Sequence, residues 1–226
     1  PFGQTTTLSI NAEGYLETVT SPKGAVTGMT YATGGLLETF TDANSNTSTL
    51  SYDSTGLLTN DETALTGYQA LTRTTDADSD LYTASITTGL GYVKSYSVQE
   101  ESDGSVVQIF TDTNGLTTET QTGSDQSMTK TYPDGTIVET ATGADPRFGV
   151  QISLAESATT TTPAGLVNTV SMDREAELSD DTDVFSLTTQ TDTVTVNGVV
   201  YTNTFNATSN QSTTTTPEGR ILTTTV

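Results

Sequence analysis

Three successive stretches of 21 residues, TTTLSINAEGYLETVTSPKGA (5–25), VTGMTYATGGLLETFTDANSN (26–46) and TSTLSYDSTGLLTNDETALTG (47–67), repeat one pattern. Gly14, Gly35 and Gly56 fall in one register, as do Leu8, Met29 and Leu50, and again Ile10, Tyr31 and Tyr52. A period of this size copies one small supersecondary unit along the chain, so that each copy covers what its neighbour exposes. That constraint favours a structural or binding array over a compact enzyme.

Turn signals split the period in two. Gly14, Gly24, Gly35, the Asn44–Asn46 cluster, Gly56, Gly67, Asp76–Asp80, Gly89/Gly91, Asp103-Gly104, Asn114-Gly115, Gly123 and Asp134-Gly135 follow one another at about ten-residue spacing. Evenly spaced turns between short β-branched runs predict consecutive antiparallel hairpins, and Asp-Gly and Asn-Gly supply the positive φ that tight hairpin turns demand. The 54 threonines in 226 residues fit strands, because a β-branched side chain packs well on a pleated surface. The same low apolar content and the TTTT runs at 159–162 and 213–216 also describe a disordered stalk, a reading the repeat register opposes. No helical periodicity competes, and the chain reads as all-β.

Alternation places Leu8 and Ile10 on one face with Thr7 and Ser9 opposite, and Leu50 and Tyr52 repeat the arrangement. A thin apolar row on one face and hydroxyls on the other describe a sheet with one wet side. About twenty strands at roughly 4.8 Å spacing would exceed what an open sheet holds flat, so the expected object is a curled or spiralling ribbon forming a tube or shell wall. Regularity declines after about residue 145, in ADPRFGVQISLAES and SMDREAELSDDTDVFSL, then returns around Gly165 and Gly219. The whole of 1–226 is expected to be one array segment with no linker, regular over about 1–145 and degenerate over 146–226, cut from a longer repeat protein.

Seven Lys plus Arg against 28 Asp plus Glu leave a formal charge of −21. Nucleic acid is excluded as a partner, because counterion release needs a basic surface. No apolar run approaches 18 residues, so no membrane-spanning helix is expected. The chain has neither Cys nor His, which removes disulfides, thiolate chemistry, soft-metal sites and the commonest general base. The expectation is therefore a protein that is not an enzyme.

The segments SYDSTGLLTND, TYATGGLLETFTDANSN and TYPDGTIVETATG resemble the YD repeats of the Rhs and teneurin superfamily. Tyr52-Asp53 with Gly56 is the fullest copy, Tyr132-Pro133-Asp134-Gly135 a shortened one, and Thr111-Asp112 with Asn114-Gly115 resembles the second half. The resemblance covers 1–145 well and the remainder weakly. It implies a β-hairpin ribbon that spirals into a hollow shell, enclosing a C-terminal toxin in bacterial members and belonging to cell-surface adhesion proteins in animal ones. The Arg that often follows the turn Gly is replaced by Tyr15, Leu36 and Leu57, with Arg220 its one clear retention. Nothing matches the self-cleaving aspartate motif that ends many bacterial shells beyond the fragment Asp145-Pro146, which implies an interior or non-cleaving stretch.

Candidate sites are few. Asp76, Asp78 and Asp80 alternate at a turn and form the candidate Ca²⁺ site, since that ion takes six to eight oxygens. An EF-hand is excluded by Leu81 where Gly is required and Thr87 where the bidentate Glu belongs. The competing reading is a solvated acidic turn. Glu100, Glu101 and Asp103 as a glycosidase pair fail for lack of an aromatic-lined cleft, and read as surface charge. Tyr31, Tyr52, Tyr132, Phe40 and Phe110 read as cross-strand packing rungs rather than a sugar-binding strip. Three Asn-X-Ser/Thr triplets, at Asn46, Asn206 and Asn210, carry little weight in a chain this rich in Thr.

These observations point to a non-enzymatic, extracellular or cell-surface structural repeat protein forming a β-sheet shell, tube or filament wall. Its expected partners are neighbouring repeats or identical subunits at open strand edges, with a cargo domain or a surface glycan as further partners and no cofactor. Two other readings remain open at this point: the shell segment of an Rhs-type toxin-delivery protein enclosing a C-terminal cargo, and a carbohydrate- or receptor-binding adhesin.

Overall fold

A computed structural model describes residues 3–65, 67–76 and 80–225. Among them are nineteen strands and no helix, so the all-β reading holds. The chain forms two compact units, residues 1–97 with 111–115, and residues 98–110 with 116–226.

In the first unit, eight strands pair antiparallel in chain order: β1 (Thr7–Ile10), β2 (Leu16–Thr20), β3 (Val26–Tyr31), β4 (Leu37–Thr41), β5 (Thr47–Tyr52), β6 (Leu58–Glu62), β7 (Tyr68–Asp76) and β8 (Leu81–Thr88). β9 (Val93–Glu100) and β10 (Val106–Thr111) follow. In the second unit the same chain-order antiparallel pairing joins β11 (Thr117–Thr122), β12 (Met128–Thr131), β13 (Ile137–Asp145), β14 (Gly149–Thr161), β15 (Val167–Leu178), β16 (Leu187–Val196), β17 (Val199–Asn206), β18 (Gln211–Thr215) and β19 (Ile221–Thr225).

The turns explain why the hairpins are so alike. In Asp53–Leu57 the amide of Asp53 donates to the Leu57 carbonyl at 2.9 Å, and the amide of Gly56 donates back to the Asp53 carbonyl at 3.1 Å. Asn11–Tyr15, Ser21–Ala25, Ala32–Leu36 and Asp42–Asn46 close with the same two bonds. This is a three-residue hairpin loop, a tight turn followed by one residue in the left-handed region that creates a bulge. The left-handed residue is Gly56 at φ 86°, and where the position holds Ser45 instead the backbone still adopts φ 67°. The bulges fall between Ser9 and Ile10, Thr30 and Tyr31, and Ser51 and Tyr52, so the sequence period of 21 residues is also the period of backbone irregularity.

No apolar residue among those described is buried; Leu8 is 63% and Ile10 68% exposed. Apolar side chains have only cross-strand neighbours set opposite them, such as Met29 opposite Phe40 and Leu8 opposite Val19. Hydroxyl pairs replace a core in part. Ser9 and Thr18 meet at 2.6 Å, and one period later Thr30 and Thr39 meet at the same distance. Such rungs each contribute roughly 0.2–1 kcal/mol, so stability here rests on many small local terms.

Candidate functional site

The residues that the repeat holds constant divide into a turn cap and a rung. Asp53 caps its turn: its Oδ1 accepts the amides of Thr55 at 2.8 Å and Leu57 at 3.0 Å, and the Thr55 hydroxyl at 2.7 Å. That hydroxyl, with the two amides, holds the carboxyl below the usual aspartate range. Asp42 does the same with Asn44 and Asn46, the Asn46 carboxamide being the main cause of its lowered pKa. Asn11 replaces the carboxylate in the first copy, and Ser21 supplies a hydroxyl in the second turn. A side-chain oxygen that bonds the backbone two and four residues on stabilises the turn locally and needs no partner elsewhere.

The rung is the tyrosine before the cap. Tyr31 Oη donates to the Leu16 carbonyl at 2.7 Å, and Tyr52 Oη donates to the Leu37 carbonyl at 2.8 Å. Donor and acceptor each advance by one period, and each bond joins a hairpin to the one before it. At the turns the same step recurs. A Cβ on Gly35 would overlap the Tyr15 ring, reaching Cζ at 2.5 Å, while a Cβ on Gly56 would sit 3.5 Å from Leu36 Cδ1. Tyr15 also lies against Tyr31, ring centroids 5.0 Å apart.

The second unit holds two further clusters. On β13, β15 and β16, Asp145 is 3% exposed, and its carboxylate accepts the amides of Arg147 at 2.8 Å and Phe148 at 3.1 Å. Arg174 reaches it at 3.3 Å while also gripping Asp192 with a two-pronged contact, Nε to Oδ1 at 2.5 Å and a terminal nitrogen to Oδ2 at 3.0 Å. Burial pushes the Asp145 pKa up, but the two amides and the Arg174 guanidinium outweigh it and the net shift is downward. Arg147 completes the cluster by donating to Gln190 at 3.0 Å. With both carboxylates paired to Arg174, this cluster fixes the irregular 145–149 turn onto its neighbours.

The other cluster is an open cleft of about 390 Å³ where the turns 101–105 and 123–127 come together. Asp103 Oδ1 accepts the Ser105 amide at 2.8 Å, and Asp125 Oδ1 accepts the Ser127 amide at 2.9 Å and the Ser127 hydroxyl at 2.6 Å. Asp103 belongs to the acidic group considered from the sequence. Glu100 ends β9, whereas Asp103 lies in the following turn and lines the cleft together with Asp125. The signal for this pairing was in the chain: Asp103-Gly104-Ser105 and Asp125-Gln126-Ser127 stand 22 residues apart.

Of the sequence candidates for Ca²⁺, Asp76 ends β7 and Asp80 precedes β8 at φ 48°, while Asp78 lies outside the described residues. Among the described residues no three acidic side chains gather as a metal cluster, and no helix is long and apolar enough to cross a membrane. Tyr132 opens the 132–136 turn, its amide donating to Thr136 at 2.8 Å, with the Lys130 ammonium 5.0 Å from its ring centroid. Phe40 lies opposite Met29 and Ser48, and Phe110 is 43% exposed. Asn46 donates its carboxamide to Asp42 at 2.9 Å, and Asn206 and Asn210 bracket the turn between β17 and β18.

No protein-family model matches the chain, and no curated protein does. Among solved structures, TcdB2-TccC3 is similar over 97% of this chain at 13% identity and a TM-score of 0.29. TcdB2-TccC3-Cdc42 follows at 14% identity and 0.25, and TcdB2-TccC3 without its hypervariable C-terminal region at 14% and 0.26. This chain spans 16%, 16% and 15% of the lengths of those chains.

Proposed function

We propose that the chain is a wall segment: a non-enzymatic structural repeat protein, extracellular or at the cell surface, whose hairpins build a shell, tube or filament of the YD-repeat type. The observation that carries this reading is the paired rung, Tyr31 to Leu16 and Tyr52 to Leu37, advancing by one repeat. In the first unit the repeated side chains are spent on closing a turn or tying one hairpin to the last. A repeat built this way yields extent and stiffness. Electron microscopy of the full-length protein tests it: hollow or filamentous particles are expected, and solid, compact monomers would overturn it.

A cargo-enclosing shell is the second reading, favoured by the apolar side chains that no layer covers, Leu8, Ile10, Val150 at 80% and Phe185 at 82% exposed among them. Exposed apolar groups in such number mark surfaces that other chain covers. Limited proteolysis of the full-length protein discriminates: a protected downstream domain supports enclosure, and cleavage of that domain at the rate of the isolated chain removes it.

A further inference from the structure

We propose that the edge of β15 over 172–178 is a strand-addition site for an extended peptide of another protein that carries lysine or arginine at alternate positions. β14 runs beside β15 only from Thr161 opposite Val167 to Ser157 opposite Ser171, whereas β15 stays paired to β16 as far as Leu178. A bulge marks the departure. Ala141 faces Ser157 and Thr142 faces Ala155, so Glu156 is the extra residue that bends β14 away. Past that point the 145–149 turn is tied to side chains of β15 and β16, Asp145 to Arg174 at 3.3 Å and Arg147 to Gln190 at 3.0 Å.

The fork leaves one side of β15 without a strand. In an antiparallel pair, residues alternate between bonding their partner strand and facing away from it. On the β16 side the Thr169 carbonyl accepts the Asn197 amide at 2.9 Å, and the Ser179 amide donates to the Ser186 carbonyl at 2.8 Å. The odd-numbered residues between them therefore bond β16. Met172, Arg174 and Ala176 turn their amides and carbonyls to the side that β14 has left, and among the described residues no strand stands opposite them. Such a row of unpaired donors and acceptors is a template for another strand.

Charge selects the occupant. Asp173, Glu175 and Glu177 alternate along the exposed face of β15, and the residues opposite them on β16 are Thr193, Thr191 and Thr189. No cation offsets the row from that side. A second copy of this chain would bring the same carboxylates to the same edge, and like charges set opposite one another repel. A strand with lysine or arginine at alternate positions places its cations beside the row, while the residues between them bond Met172, Arg174 and Ala176. The seven Lys and Arg of this chain nowhere stand two residues apart, so the segment belongs to another protein.

Fluorescence anisotropy of the whole chain with a labelled seven-residue peptide, lysine at its second, fourth and sixth positions and threonine elsewhere, is the test. Saturable binding is expected. The same peptide with proline for every threonine keeps the charge but lacks the amides that bond the edge, and should bind at least about tenfold more weakly. Asp173→Asn/Glu175→Gln should bind the threonine peptide several-fold more weakly, with an unchanged far-ultraviolet spectrum because both side chains are exposed. The amides of Met172, Arg174 and Ala176 should exchange readily in the chain alone and slow at least about tenfold at saturating peptide. Equal binding of the two peptides overturns the site, since it would mark attraction to a chain of charge −21 with no strand added. Equal binding by the variant does the same. So does absence of saturation, which would leave the carboxylates as guards of the edge, and so do amides already protected without peptide.

Discussion

Tyr52 donates its phenolic hydrogen to the carbonyl of Leu37 at 2.8 Å, and these two residues are neighbours only because their hairpins are. The bond runs between repeats and not within one. Replacing Tyr52 by Phe keeps the ring and orphans a part-buried carbonyl, so a loss of about 1 kcal/mol is expected. Tyr31→Phe should cost the same, and the double variant about 2 kcal/mol, because the two bonds share no acceptor. Urea denaturation of the three variants checks this; a double variant as stable as the parent would show that the rung contributes nothing.

Gly35 and Gly14 hold the same turn position but differ in what surrounds them. Both have positive φ, 85° and 90°, so alanine strains either. Only at Gly35 does the added carbon strike the Tyr15 ring, while at Gly14 nothing lies within 4 Å. Gly14→Ala should therefore cost about 1–2 kcal/mol for the left-handed backbone alone, and Gly35→Ala at least about 1 kcal/mol more. In a Tyr15→Ala background the excess should vanish. If it persists, the close approach of ring and turn is not its cause.

The Arg174 guanidinium spans two carboxylates, and removing it leaves both Asp145 and Asp192 without their cation. Arg174→Ala should cost about 3 kcal/mol, the lower end for breaking a largely buried ion pair. Arg174→Lys should recover part of this, since a point charge cannot reproduce the two-pronged geometry. The midpoint of thermal unfolding for the two variants measures both effects, and indistinguishable values would mean that charge alone matters.

Acid stability follows from the capped turns. Asp42, Asp53, Asp103, Asp125, Asp134 and Asp180 all have lowered pKa values, from amide and hydroxyl donors within their own turns. A carboxyl whose folded pKa lies below its unfolded value stabilises the fold above the unfolded value, about 3.9, and loses that contribution as pH falls through the folded one. Melting temperature should thus hold from pH 7 to about 5 and fall below about 4. Asp42→Asn/Asp53→Asn should flatten the acid limb. A melting temperature that rises steadily to pH 3 would contradict the capping role, leaving relief of the −21 charge as the dominant effect.

The hairpins were legible because their determinants are local: Gly14, Gly35 and Gly56 mark positive φ wherever they stand, and the turns inferred at glycine and Asp/Asn punctuation fall between strands, apart from Asp76–Asp80, where Asp76 ends β7 and residues 77–79 lie outside the described residues. The sequence pointed to Tyr31 and Tyr52 as repeated cross-strand positions, but not to their hydroxyl bonds, and Tyr132 opens a turn instead. Tyr52 reaches past its own hairpin, and it stands beside a bulge that sequence alternation does not reveal. The Asp145, Arg174 and Asp192 cluster stayed hidden for a stronger reason. It joins residues 29 and 18 positions apart on longer strands, where a register shift of one residue would point each side chain to the opposite face. The cleft at Asp103 and Asp125 left a readable trace in its 22-residue spacing, which the shorter period of the opening repeats obscured.

Among the described residues of the first unit no apolar side chain is buried, and the bonds that tie its repeats are short-range in sequence, as Tyr31 to Leu16 is. A module that asks only for a preceding module of the same kind can be duplicated or deleted without disturbing the rest. Chain length in such a protein is then an adjustable dimension, which a lineage can change by unequal exchange of 21-residue segments, much as masonry grows by the course.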